Sequence, residues 1–151
     1  MRRLLVALPL LLSGCTGDDP TIGRPEDGPI TGAPATEGLL VTAVEYEFRG
    51  APVLLSAGEH TFTLQNDGEE PHELYLAYIT GPQSIEEIIE LPEKQASKVT
   101  QAVNRVEAEP GGSAELTASL VPGRFGYVCF IESPDGTPHA FLGMRGEFTV
   151  E

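Results

Sequence analysis

Four side chains of this 151-residue chain could together hold a soft metal ion: His72, Cys129, His139 and Met144. Imidazole suits both oxidation states of copper, while thiolate and thioether favour Cu(I). A mixed set can therefore serve Cu(I) and Cu(II) with little rearrangement, which is the chemistry of one-electron transfer. Period-two alternation puts three of the four on apolar registers. His72 alternates with Leu74 and Leu76, Cys129 with Phe125 and Tyr127, and Met144 with Phe148 and Val150. His139 lies in a loop, after Pro134-Asp135-Gly136-Thr137-Pro138. Singly, a core histidine, a small buried thiol and a filler methionine are ordinary. Sharing one core-facing arrangement, they point to a metal. His60, beside Glu59 after a turn, reads as surface.

The elements that must position these residues are short strands. Further alternating runs place Val44, Tyr46 and Phe48 on one face, Phe62 and Leu64 on another, and Leu116, Ala118 and Leu120 on a third. Turn signals separate them: Ala57-Gly58, Asn66-Asp67-Gly68, Pro110-Gly111-Gly112 and Pro122-Gly123. Half-buried antiparallel strands at this density predict an all-β fold, a Greek-key β-sandwich of seven to eight strands. One short helix interrupts it. Ser84 and Glu87 have capping-box spacing, and Ile85, Ile88 and Ile89 form a stripe, so residues 81–97 read as a helical insertion.

The first residues are a targeting segment rather than part of the domain. Arg2-Arg3, the apolar run Leu4 to Leu12 and the small pair Ser13-Gly14 have the layout of a secretory signal too short to span a bilayer. Leu12-Ser13-Gly14-Cys15 also resembles a bacterial lipoprotein signal, which predicts cleavage before Cys15 and lipid on its thiol. Residues 1–14 are thus read as signal peptide, 15–38 as the lipidated cysteine with a Pro/Gly/acidic linker, and 39–151 as the working domain. The protein is expected to be exported, periplasmic or on the cell surface, and held to a membrane only by that lipid. Cleavage leaves seven basic residues against 23 acidic, a formal charge of −16. Such a balance argues against nucleic acid, whose phosphates need clustered Lys and Arg. With Cys15 lipidated, Cys129 has no partner for a disulfide and is free for other work.

Pro71-His72 after Asn66, a strand ending at Cys129, then His139 and Met144 before a last strand, resembles the cupredoxins: plastocyanin, azurin and pseudoazurin. The likeness covers residues 39–151, and His139-Ala-Phe-Leu-Gly-Met144 has the spacing of plastocyanin. It implies one type 1 copper, with His72 and His139 as imidazole ligands, Cys129 as the thiolate and Met144 as the axial ligand. Two features depart from the pattern. Nine residues separate Cys129 from His139, where small plastocyanins have two, although copper nitrite reductases also carry a long loop there. Glu73 follows His72 where plastocyanin has an Asn that braces the site.

The resemblance further implies a monomeric carrier of single electrons, not an enzyme. Its partner would be a redox protein such as a basic cytochrome c or an oxidase. In that family the second histidine reaches the surface through an apolar patch, for which Pro138, Phe141 and Leu142 are the candidates. Two other functions share the fold: copper buffering or delivery, and a metal-free interaction domain. One Met and three His after cleavage are few for a delivery protein and too few for the catalytic coppers of an oxidase. The acidic pairs Glu69-Glu70 and Glu86-Glu87 read as solvated surface.

Overall fold

The computed structural model describes residues 38–151; the signal, Cys15 and the linker lie outside the described residues. Two sheets face each other. One contains β1 (Leu39–Val44), β2 (Glu47–Arg49), β4 (Gly58–Asn66) and β7 (Ser113–Leu120), in the order β2-β1-β4-β7. The other contains β3 (Leu54–Leu55), β5 (His72–Ile79), β6 (Thr100–Ala108), β8 (Gly123–Val128) and β9 (Arg145–Val150), in the order β3-β9-β8-β5-β6. Most pairings are antiparallel; β1 with β4 and β3 with β9 are parallel. The all-β sandwich is as the alternation predicts.

The period-two pattern builds the core directly. In β4, Phe62 and Leu64 turn inward, while in the paired β7 Leu116, Ala118 and Leu120 do so and Glu115, Thr117 and Ser119 face water. From the opposite sheet come Leu74, Leu76, Phe125, Phe148 and Val150. Phe125 and Phe148 stack with ring centroids 5.2 Å apart and planes at 9°. Each large apolar side chain buried this way contributes about 1.5–3 kcal/mol. At one end of the same core Cys129 and Met144 join the cluster.

Several details differ from the sequence reading. Among the described residues nine strands form rather than seven or eight, because the chain turns at Glu45-Tyr46 and starts β2, and because Thr100–Ala108 forms an edge strand. Only Ala108 is buried in that strand, so its alternation is too weak to read. Val41 and Ala43, not Val44, face the core in β1, while Tyr46 and Phe48 pack against it from beyond the turn. The insertion carries two helices, α1 (Ile85–Ile89) and α2 (Glu93–Val99). Ser84 and Glu87 do form the capping box that starts α1. Ile85 and Ile88 then cover Ile79, Val128 and Ala140 on the outer face of the five-stranded sheet. Strand β5, flanked by β8 and β6, is consequently buried on both faces. Finally, His139–Leu142 forms a single helical turn, α3, where a loop was expected.

Candidate metal centre

His72 opens β5, Cys129 follows the last residue of β8, His139 opens α3 and Met144 precedes β9. The fold therefore gathers ends of three neighbouring strands at one edge of the sandwich. All four side chains are fully buried. His72 Nδ1 lies 3.2 Å from His139 Nδ1, which lies 3.4 Å from Cys129 Sγ. One donor atom from each of His72, Cys129 and His139 falls within 4.8 Å of the others. Met144 is tied to them through the backbone: Cys129 N–H donates to its carbonyl at 3.1 Å, and its own N–H donates to the His139 carbonyl at 3.0 Å.

Those bonds belong to a neck that closes the loop between Cys129 and His139. Ala140 N–H donates to the Cys129 carbonyl at 2.8 Å and His139 N–H to the Ile131 carbonyl at 2.9 Å. Beyond the neck, Glu132 and Pro138 form a bridge, and Asp135 accepts from Ser133 Oγ at 2.6 Å and from Thr137 N–H at 3.0 Å. The first of these bonds, with help from the second, holds the Asp135 carboxyl below its ordinary value of 3.8.

Glu73 is the brace. It is 5% exposed, and its carboxylate accepts from Phe130 N–H at 2.9 Å, while its own N–H points at Cys129 Sγ at 3.3 Å.

Each imidazole is gripped on its far side. His72 Nε2 lies 3.2 Å from Glu45 Oε1, and His139 Nε2 lies 2.9 Å from Glu70 Oε2. Because a carboxylate only accepts, each Nε2 is the donor in these bonds, and in a neutral ring that leaves Nδ1 with its lone pair. Glu45 is ionised: burial opposes this, but the backbone N–H groups of Glu70 and Glu69 and the His72 ring together hold its carboxyl below the ordinary range. Burial, then the neighbouring His139, lowers the His72 pKa and favours its neutral, ligating form. The Cys129 thiol is pushed up to about 11, chiefly by burial.

This donor set fits a metal ion. Two ring nitrogens 3.2 Å apart and a sulfur 3.4 Å from one of them converge where water is excluded, and all three are donors that one soft cation can share. The sulfur beside them supplies the anionic ligand once its proton leaves, and a bound cation favours that loss.

Glu45, Tyr46 and Glu70 are the site residues that sequence reasoning missed. Tyr46 packs its ring 4.7 Å from that of His139 and donates its hydroxyl to Glu70 Oε1 at 3.1 Å. Burial, then that bond to Glu70, raises the Tyr46 pKa. Glu70 is therefore not solvated surface. Glu86 and Glu87 are exposed, as expected, the first paired at the surface with Arg145 and the second serving the Ser84 cap. The apolar surface beside the centre is present, with Phe141 49% and Leu142 41% exposed and Pro138 partly buried at the start of α3. The His139 ring itself is 0% exposed. Its edge does not reach water as the resemblance implied, because Tyr46 and Glu70 cover it. His60 sits away from the centre, its Nε2 2.8 Å from the Ser56 carbonyl.

No protein-family model matches the chain, and no curated protein sequence does. Solved structures match it by shape. An auracyanin from the photosynthetic bacterium Roseiflexus castenholzii, reduced with dithionite, is 19% identical, covers 74% of this chain and 94% of its own, and superposes with a TM-score of 0.54. Auracyanin B is also 19% identical, with 76% and 88% coverage and a TM-score of 0.52. Auracyanin A, a "blue" copper protein of Chloroflexus aurantiacus, is 16% identical, with 76% and 98% coverage and a TM-score of 0.51. The chain has the cupredoxin fold. Within it, His72, Cys129 and His139 form a group positioned to hold a metal ion.

Proposed function

We propose that this protein is a type 1 copper protein that carries single electrons between redox partners outside the cytoplasm. One observation carries the reading: a nitrogen of each of two imidazoles and one cysteine sulfur converge within 4.8 Å, all three residues being fully buried. His72, His139 and Cys129 would hold the ion, with the buried thioether of Met144 as a further, weaker donor. Bound there, copper supplies a one-electron couple.

The protein's own groups keep the ligands still. Glu45 and Glu70 fix the ring angles, Glu73 holds the backbone after Cys129, and the neck bonds hold Cys129, His139 and Met144 together. Burial of every ligand excludes water and competing donors. It also leaves no exposed sulfur or imidazole at the centre for handing the ion to another protein, which favours electron transfer over copper delivery. Phe141 and Leu142 offer a small apolar contact on an acidic protein, suited to brief docking on a basic redox partner. Lipid on Cys15 would keep the domain at a membrane surface.

Copper titration followed by absorption and EPR spectroscopy tests the reading. One equivalent of Cu(II) should give an intense blue band and a narrow copper hyperfine splitting. Stoichiometric copper without colour would exclude a type 1 site.

A further inference from the structure

Both imidazoles at the centre are held from behind by acid, and each acid is itself built in. Glu45 Oε1, which takes the His72 Nε2 proton at 3.2 Å, also accepts from the backbone N–H of Glu69 at 2.7 Å and of Glu70 at 2.8 Å. Gly68 leaves room for it; a Cβ there would collide with the Glu45 carboxylate. Glu70 is held just as firmly. One of its oxygens takes the His139 Nε2 proton at 2.9 Å and the other takes the Tyr46 hydroxyl at 3.1 Å. Its carbonyl accepts from buried Asn66 Nδ2, whose Oδ1 accepts from Gly68 N–H. Acid, turn and loop are therefore one assembly, and the two carboxyl side chains are only 28% and 22% exposed.

We infer that Glu45 and Glu70 are positioning residues that act as an anionic clamp, aiming both Nδ1 atoms at the ion and biasing the centre toward its oxidised state. This rests on the copper reading above. A ligating histidine whose other nitrogen donates to carboxylate has a fixed tautomer, a fixed ring plane and a more basic donor atom. Two negative charges, each one imidazole behind a donor, favour the more highly charged ion. At the effective dielectric of a partly buried pair, each carboxylate shifts the reduction equilibrium by about tenfold. For a one-electron couple that is about 59 mV.

The test is a redox titration of the copper-loaded full chain and of Glu45→Gln, Glu70→Gln and the double variant, with Glu115→Gln on the far sheet as control. Glutamine keeps an accepting oxygen and removes only the charge. Each single variant should favour the reduced state about tenfold, the double variant more, with the blue band retained and the control unmoved. Potentials equal to wild type in both single variants would overturn the clamp. A second measurement does not depend on copper. In the Zn(II)-loaded chain, NMR should show both Nε2 protons in slow exchange, and Glu70→Ala should release that of His139 alone. Rapid exchange of both in wild type would also refute the clamp. If zinc shows the protected protons but copper gives no blue band, the copper reading fails and the positioning role stands.

Discussion

Glu73 and Cys129 meet across the gap between β5 and β8, and each poses a different residue-scale question. Removing the Glu73 carboxylate takes away the acceptor of the partly buried Phe130 N–H, which costs about 1 kcal/mol. Glu73→Ala should lower the urea midpoint accordingly, whereas Glu73→Gln, which can still accept, should lose much less. A midpoint unchanged in Glu73→Ala would show that the bond does not brace the loop. At Cys129 the question is softness. Cys129→Ser should abolish the blue band because a hydroxyl is a poor soft ligand. Met144→Leu should keep the band and raise the potential, since loss of the axial donor favours Cu(I). Potentiometry with absorption distinguishes the two variants. The four candidate ligands were legible from the sequence because three share a strand register with core residues. Glu45 and Glu70 were not, because an acid's partner depends on how two turns meet, and no alternation encodes that.

Helix α1 lies on the outer face of the five-stranded sheet, and Gly126 is what lets it lie there. A Cβ at Gly126 would come within 2.6 Å of Ile85 Cδ1. Gly126→Ala should therefore force the end of the Ile85 side chain aside and destabilise the domain by about 1 kcal/mol; an unchanged thermal midpoint would contradict this. Ser84→Ala, which removes the cap from Glu87 N–H, should cost about 1 kcal/mol. The loop between Cys129 and His139 adds a pH dependence. The Asp135 carboxyl is depressed by Ser133 Oγ, so its contribution is complete above the ordinary value of 3.8 and disappears as pH falls through the folded value. Asp135→Asn should remove that part of the acid sensitivity while changing stability little in its slope near neutrality. At this scale, β4 and β7 were readable because inward and outward positions alternate cleanly. Strands β5, β8 and β9 were readable because their large apolar residues recur at every second position, although burial extends to both faces. Edge strand β6 and the break at Glu45-Tyr46 were not, because few of their side chains are committed to the core. The second helix escaped for a related reason: α2 has no buried residue to announce it.

At the scale of the whole molecule, charge and surface should act together. With the signal removed, the formal charge of −16 should speed encounter with a basic partner, so added salt should slow association. Phe141→Glu or Leu142→Glu should cut electron exchange without altering the blue spectrum; exchange at the wild-type rate would place the contact elsewhere. Intact-mass measurement of the native protein should find lipid on Cys15, and an unmodified cysteine would remove the anchor. The long excursion between Cys129 and His139 has a different consequence. Backbone bonds cinch it at its base, so nothing past Ile131 and before Pro138 need change for the ligands to keep their places. The centre is thereby insulated from the length of its own loop. Lineages could lengthen, shorten or redecorate that arm to change which neighbour it greets, while the donor atoms beneath it stay put.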